Sequence, residues 1–306
     1  MLDDHSRKEL DTTNLHDLLA ALPGSYAGPR KTLPAPYGAV GYEEGALPLR
    51  LTSFVDKSMV AQGTQFLLGN VHDPEGDDLV NIAEVSGAHV QRVGVSQSLK
   101  DLDYLVPTQP LSLYTYTQYL AHATGNGEEA EKADQALSVL AERCTFQVPT
   151  EQNPAKQMAW SLWTRTPLLL ASRSHAPLIS AWQHLLGRIG KSMSVPLEFE
   201  PLITLSGGFE ARHESGDERV ALVIGEADAE MQLAREILET RIDEIIPVLP
   251  PENLSEYARN LYLWYFGAWV SYYLALTYNQ DPRDTKIADL LNAGFKPRAD
   301  EDDSLN

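Results

Sequence analysis

The chain has almost no cysteine and few basic residues. A single cysteine, Cys144, excludes an intrachain disulfide and suits a reducing compartment. With no ligand or nucleophile motif around it, Cys144 reads as a small packed hydrophobe. Against 43 acidic side chains stand 24 Lys and Arg, a net charge of −19. That balance argues against nucleic acid and anionic membrane surfaces, which are held through Lys and Arg. It also disfavours a phosphorylated ligand unless basic side chains or helix N-termini concentrate locally. The N-terminal stretch MLDDHSRKELD lacks the basic-then-apolar pattern of a signal peptide, so a cytoplasmic protein is expected. No GxGxxG, Walker loop or GxSxG pattern occurs, and no cofactor is expected. The histidines, His5, His16, His72, His89, His122, His175, His184 and His213, are not spaced with cysteine, so no metal site is expected.

A strongly apolar, uncharged run spans Leu261 to Tyr278, eighteen residues that end before Asp281-Pro282. It reaches the lower end of what spans a bilayer, roughly 17 to 25 residues. Its tyrosines, Ser271 and Thr277 make a poor surface for hydrocarbon, and the acidic flanks Glu252, Glu256, Asp281 and Asp284 give no orienting basic cluster. It reads as a buried core helix rather than a membrane span.

At 306 residues the chain fits two domains. Leucines at 15, 18, 19 and 22 predict a first helix closed by Pro23-Gly24. Apolar runs at 65–68 and 90–95 read as strands, and 78–86, 114–123 and 128–143 as helices. After a polar break at 149–154 the alternation resumes, with helices at 155–163, 177–189, 227–242 and 253–278 and strands at 167–171, 219–224 and 245–249. This βα alternation predicts an α/β protein with mainly parallel sheets covered by helices on both faces. The expected units are 1–149 and 150–295, followed by an acidic, disordered tail at 296–306.

Two segments could hold a ligand. Ser172-Arg173-Ser174 follows a strand and opens a helix, offering hydroxyls, a guanidinium and free backbone N–H groups to an anion, or simply a capped helix start on the surface. Ser206-Gly207 could bend backbone N–H groups around a ligand, or merely turn between strands. Trp160, Trp163, Trp182, Trp264 and Trp269, with the late tyrosines, read as core or as a homodimer face.

The order Val270-Ser271-Tyr272-Tyr273-Leu274-Ala275-Leu276, then Asp281-Pro282 and Ile287, resembles the last two helices of the bifunctional phosphoglucose/phosphomannose isomerases. Asn153-Pro154-Ala155-Lys156 with Leu162, Arg165 and Pro167 looks like the opening of that family's second domain. Trp182 and Val195-Pro196 keep its frame. Val40 to Leu47 occupies the place of its glycine-rich loop, and Pro110 that of a Pro-Arg step. The resemblance implies two sugar isomerase (SIS) domains and a sugar phosphate or other carbohydrate derivative as ligand. It also implies interconversion of glucose 6-phosphate or mannose 6-phosphate with fructose 6-phosphate through an enediolate, without a metal.

The positions that would carry that reaction are altered. The turn expected to cradle the phosphate reads His72-Asp73-Pro74-Glu75-Gly76-Asp77-Asp78, although Asp77 and Asp78 could equally cap the next helix. Gly45 stands at the glycine-rich loop's serine, beside Glu43 and Glu44. Lys191 stands where the resemblance implies a glutamate base, and Gly207 where it implies the ring-opening histidine. His213, six residues on, could substitute only in a rebuilt loop, and is otherwise a surface histidine. Leu111 and Leu291 replace an arginine and a lysine. The expectation is a diverged member with weak, altered or lost isomerase activity, in which Lys191, Ser206 and His213 are the groups to test. The alternative is a non-catalytic carbohydrate-binding sensor or assembly module.

Overall fold

The computed structural model describes residues 2–69, 74–94, 102–107, 111–198, 200–208 and 218–283. Val95, Pro110, His213, Leu291, the tail and the first part of the acidic turn at 70–73 lie outside the described residues.

Helix α1 (Leu15–Ala21) precedes a first sheet built from β1 (Tyr37–Tyr42), β2 (Thr64–Gly69), β3 (His89–Gly94) and β4 (Tyr104–Leu105). These pair in parallel in the order β1-β2-β3-β4. Between and after them run α2 (Ala46–Leu51), α3 (Pro74–Ser86), α4 (Ser112–Ala123) and α5 (Gly127–Cys144). A parallel bridge from Gly38 to Asp56 extends the sheet on the far side of β1. β2 is buried along its whole length, the burial expected of a central parallel strand covered on both faces.

The second half repeats the plan. Helix α6 (Pro154–Leu162) leads to β5 (Thr166–Ala171), α7 (Ala176–Arg188), β6 (Val195–Pro196), α8 (Pro201–Gly208), β7 (Arg219–Ile224), α9 (Ala229–Glu239), β8 (Ile245–Val248) and α10 (Glu256–Thr277). The sheet is again parallel, in the order β6-β5-β7-β8. Pro247 sits on the edge strand, where a missing N–H costs no ladder bond. Asn153 caps α6 by accepting from the amides of Ala155 and Lys156 at 3.0 and 3.1 Å, with Pro154 at the first helical position. Asp228 and Ser255 cap α9 and α10 in the same way.

Three readings need correction. Val40 to Tyr42 belongs to strand β1 rather than to a glycine-rich loop, and α2 follows after one tight turn at Glu43–Gly45. Ser206 and Gly207 lie in α8, not in a turn, because the segment satisfies its own backbone as helix; the Ser206 hydroxyl donates to the Leu202 carbonyl at 2.7 Å. Of the tryptophans, Trp182, Trp264 and Trp269 are core residues, whereas Trp160 is 47% exposed and packs beside Trp163.

Helix α10, apolar on every side, is buried from Tyr257 to Thr277 apart from the half-exposed Arg259. No described helix is long and apolar enough to cross a membrane. Its polar atoms bond to both halves: Tyr265 and Tyr273 donate to the carbonyls of Leu19 and Cys144 at 2.5 and 2.6 Å, and Trp182 of α7 donates to the Leu263 carbonyl at 3.1 Å. Arg7 closes its C-terminus on the Leu276 carbonyl at 2.6 Å, where a cation complements the helix dipole. One apolar core therefore contains residues of both halves. Cys144 lies within it, and burial pushes its thiol pKa up to about 12, which makes it inert as a nucleophile.

Lys156 of α6 is fully buried, yet its ammonium donates to Asp3 Oδ1 and to the carbonyls of Phe146 and Val148 at 2.8, 2.9 and 2.8 Å. All three donors are satisfied. The lysine of the Asn-Pro-Ala-Lys run is thus a clasp between the N-terminal segment and the connection between the halves.

Candidate functional site

In an open parallel sheet, ligands collect beyond the carboxyl ends of the strands, where successive connections leave in opposite directions. Each half has one such point. In the first, the chain leaves β1 toward the bridge at Asp56 and returns on the other side as β2. In the second, it leaves β5 toward β6 and returns on the other side as β7.

At the first switch point the backbone is drawn in tightly. A Cβ on Gly45 would collide with the Leu68 carbonyl, and one on Gly69 would collide with the Tyr42 carbonyl. Gly69 also has φ +98°, a conformation that favours glycine. Glu43, between them, is held at φ 45°, in the left-handed region that side chains seldom occupy. This turn sends Glu43 and Glu44 into a cavity of about 290 Å³ between the two halves. Its other walls are Leu47 of α2, Ser112 and Leu113 at the start of α4, Trp264 of α10, and His184, Leu185 and Arg188 of α7.

Burial raises the Glu44 pKa, and the neighbouring Glu43 adds to the rise; the Tyr116 hydroxyl, donating from 3.4 Å, and Arg188 compensate only in part. His184 is open to the cavity yet surrounded closely enough by protein that burial, with Arg188 nearby, lowers its pKa. The Arg188 guanidinium makes no hydrogen bond or ion pair with any described residue. The cavity thus brings two carboxylates together with a guanidinium and an imidazole. Such an arrangement can bind a small polar ligand.

The second switch point is plugged. Ser172 and Ser174 place their hydroxyls 3.1 and 3.0 Å from His175 Nδ1, and 3.1 Å from each other. The His175 ring lies over Gly225, where a Cβ would stand 2.6 Å from it. Ser172 and His175 are buried, and Arg173 is exposed. Burial and Arg259 lower the His175 pKa, against the pull of Glu226 and Glu256. The Ser172-Arg173-Ser174 segment therefore spends its hydroxyls on its own imidazole.

The other expected site residues do not gather. Lys191, at φ 55°, donates to the Arg188 carbonyl at 2.9 Å, and Ser206 and Gly207 are exposed on α8. Among the described residues no group of histidine, cysteine and carboxylates is placed to hold a metal ion. Two larger concavities, about 540 and 390 Å³, run along α5 and α10 toward the β8 edge, away from both switch points. The cavity residues that sequence reading passed over were Ser112, His184 and Arg188. The signal for the last two was their i, i+4 spacing beside the apolar stripe of α7.

Two parallel three-layer units with opposed switch points define an SIS-type α/β protein. Residues 15–125 match the phosphoglucose isomerase N-terminal domain, and residues 151–293 match the bacterial phospho-glucose isomerase C-terminal SIS domain. A glucose-6-phosphate isomerase like protein from Thermus thermophilus is 34% identical, with a TM-score of 0.81 over 95% of this chain and 98% of that one. The chain belongs to the bacterial phosphoglucose isomerase-like SIS-domain family. The bifunctional phosphoglucose/phosphomannose isomerase of Caldicellulosiruptor bescii is 26% identical over 175 residues, 54% of this chain and half the length of that relative. A hypothetical protein, also from Thermus thermophilus, shares the fold alone, at 13% identity and a TM-score of 0.65 over 96% of this chain and 94% of that one.

Proposed function

We propose that the chain binds a sugar phosphate in the cavity at the first switch point and is a weak or inactive aldose–ketose isomerase. The observation that carries this reading is Lys191. By resemblance it stands where a carboxylate would move the proton between C1 and C2, and an ammonium has no lone pair to accept one. Its Nζ is turned onto the Arg188 carbonyl. The tight contact of Gly45 with Leu68 supports the same reading, because it leaves no room there for a hydroxyl-bearing side chain. Binding is supported by Arg188, unpaired among the described residues, by Ser112 and by the position of the cavity between the halves.

A coupled assay starting from fructose 6-phosphate tests the catalytic half. The expected kcat/KM lies about 10² to 10⁴ below that of a proficient isomerase, the usual loss on removing a positioned general base. Turnover equal to a proficient enzyme would sink it. A thermal-shift screen of sugar phosphates tests the binding half, with a rise in Tm expected. Binding without any turnover would identify a sensor.

A further inference from the structure

We infer that the ligand of this cavity is an amino sugar phosphate, whose ammonium sits against Glu43 and Glu44 and whose phosphate meets Arg188. The inference rests on the reading of the cavity as a sugar-phosphate site and names the ligand class. The observation behind it is that two carboxylates and a guanidinium line one cavity without an ion pair between them. Glu44 is half-buried beside a second carboxylate, with one long hydrogen bond from Tyr116 and a through-space pull from Arg188 that offsets its burial only in part. Neither Glu43 nor Glu44 forms an ion pair among the described residues, although Arg188 lines the same cavity. The acids are supplied by the turn after β1 and the guanidinium by α7.

A partly desolvated carboxylate without an ion-pair partner is costly, and the exposed Glu43 beside it adds repulsion. A ligand carrying only negative charge would worsen the first wall, and a neutral sugar would leave both walls unmatched. A ligand with a cation at one end and an anion at the other completes both. The apolar residues between the walls, Leu47, Leu113, Leu185 and Trp264, suit the carbon face of a pyranose. The cavity, about 290 Å³, is of monosaccharide size.

The test is calorimetric titration of the full chain at pH 7.5 with glucosamine 6-phosphate, glucose 6-phosphate and N-acetylglucosamine 6-phosphate. Glucosamine 6-phosphate is expected to bind about 10-fold or more tightly than either of the others, since acetylation removes the charge. Glu44→Gln is expected to remove that preference while leaving glucose 6-phosphate bound as well or better. Arg188→Gln is expected to weaken all three. Equal affinity for glucosamine and glucose 6-phosphates, or an amino-sugar preference that survives Glu44→Gln, overturns the inference while the sugar-phosphate reading stands. Absence of binding by all three, with both variants folded by their melting temperatures, overturns both.

Discussion

At the first switch point main chain meets main chain: Gly45 lies on the Leu68 carbonyl, Gly69 lies under Tyr42, and the side chains of the turn are left to face a cavity. At the second, a side chain fills the corresponding space: the His175 ring lies over Gly225, and two serine hydroxyls are turned inward to the same imidazole. The strands, their parallel order and the direction of the crossovers are alike. The contrast teaches that a topological switch point is an opportunity rather than a site. What decides is whether the turn beyond the strand spends its polar groups on itself or presents them outward.

The largest way to break this contrast is at Gly45. Gly45→Ser restores the residue type implied by the resemblance, but its Cβ would run into the backbone of Leu68 and Gly69. Main chain cannot swing aside as a side chain can, so the variant is expected to lose about 3 kcal/mol in urea unfolding. A neutral outcome would mean that the turn opens freely.

Gly225→Ala probes the plug. The alanine must hold a positive φ of 79° and meets the His175 ring at 2.6 Å, for an expected loss of about 2 kcal/mol. Because the obstacle is a side chain, His175→Ala should make the second substitution cheaper. A double-mutant cycle therefore gives a favourable coupling, and strict additivity would show that the ring and the glycine are independent.

The smallest effect is the pH response. His175 is buried neutral with a pKa below the ordinary 6.5, so the unfolded chain binds the proton more readily. Its contribution is complete above 6.5 and is lost as pH falls from there toward the lower folded value. His122 and His184 shift in the same direction, whereas the raised carboxyls of Glu44 and Asp134 act with the opposite sign in the carboxylate range. Each histidine adds a slope of at most about 1.4 kcal/mol per pH unit. His175→Gln is expected to flatten the decline between pH 6.5 and 5 relative to wild type. An unchanged slope would remove His175 from the account.

Most of the fold was legible because burial on both faces writes central parallel strands as unbroken apolar runs, as in Phe66-Leu67-Leu68 and Val220 to Ile224. β1 was harder to see. Its Tyr-Gly-Ala-Val-Gly-Tyr sequence carries glycine where main chains crowd together, and glycine reads as loop. α8 was missed for a related reason, since Ser206-Gly207-Gly208 imitates a turn. The candidate site was less legible still. Glu43 and Glu44 read only as an obstacle to phosphate, because the cation that faces them is supplied by α7, well over a hundred residues away. No local spacing records a juxtaposition made by packing two sheets against one helix.

Helix α10 gives the doubled architecture a further meaning. A chain whose halves repeat one plan looks divisible, as if either half could be excised, exchanged or inherited separately. Yet the last helix is threaded between them with apolar residues on every face, so a cut near residue 150 would leave each fragment with a large greasy surface and nothing to cover it. The repeated plan therefore does not make the halves independent: both depend on the same helix for their cores.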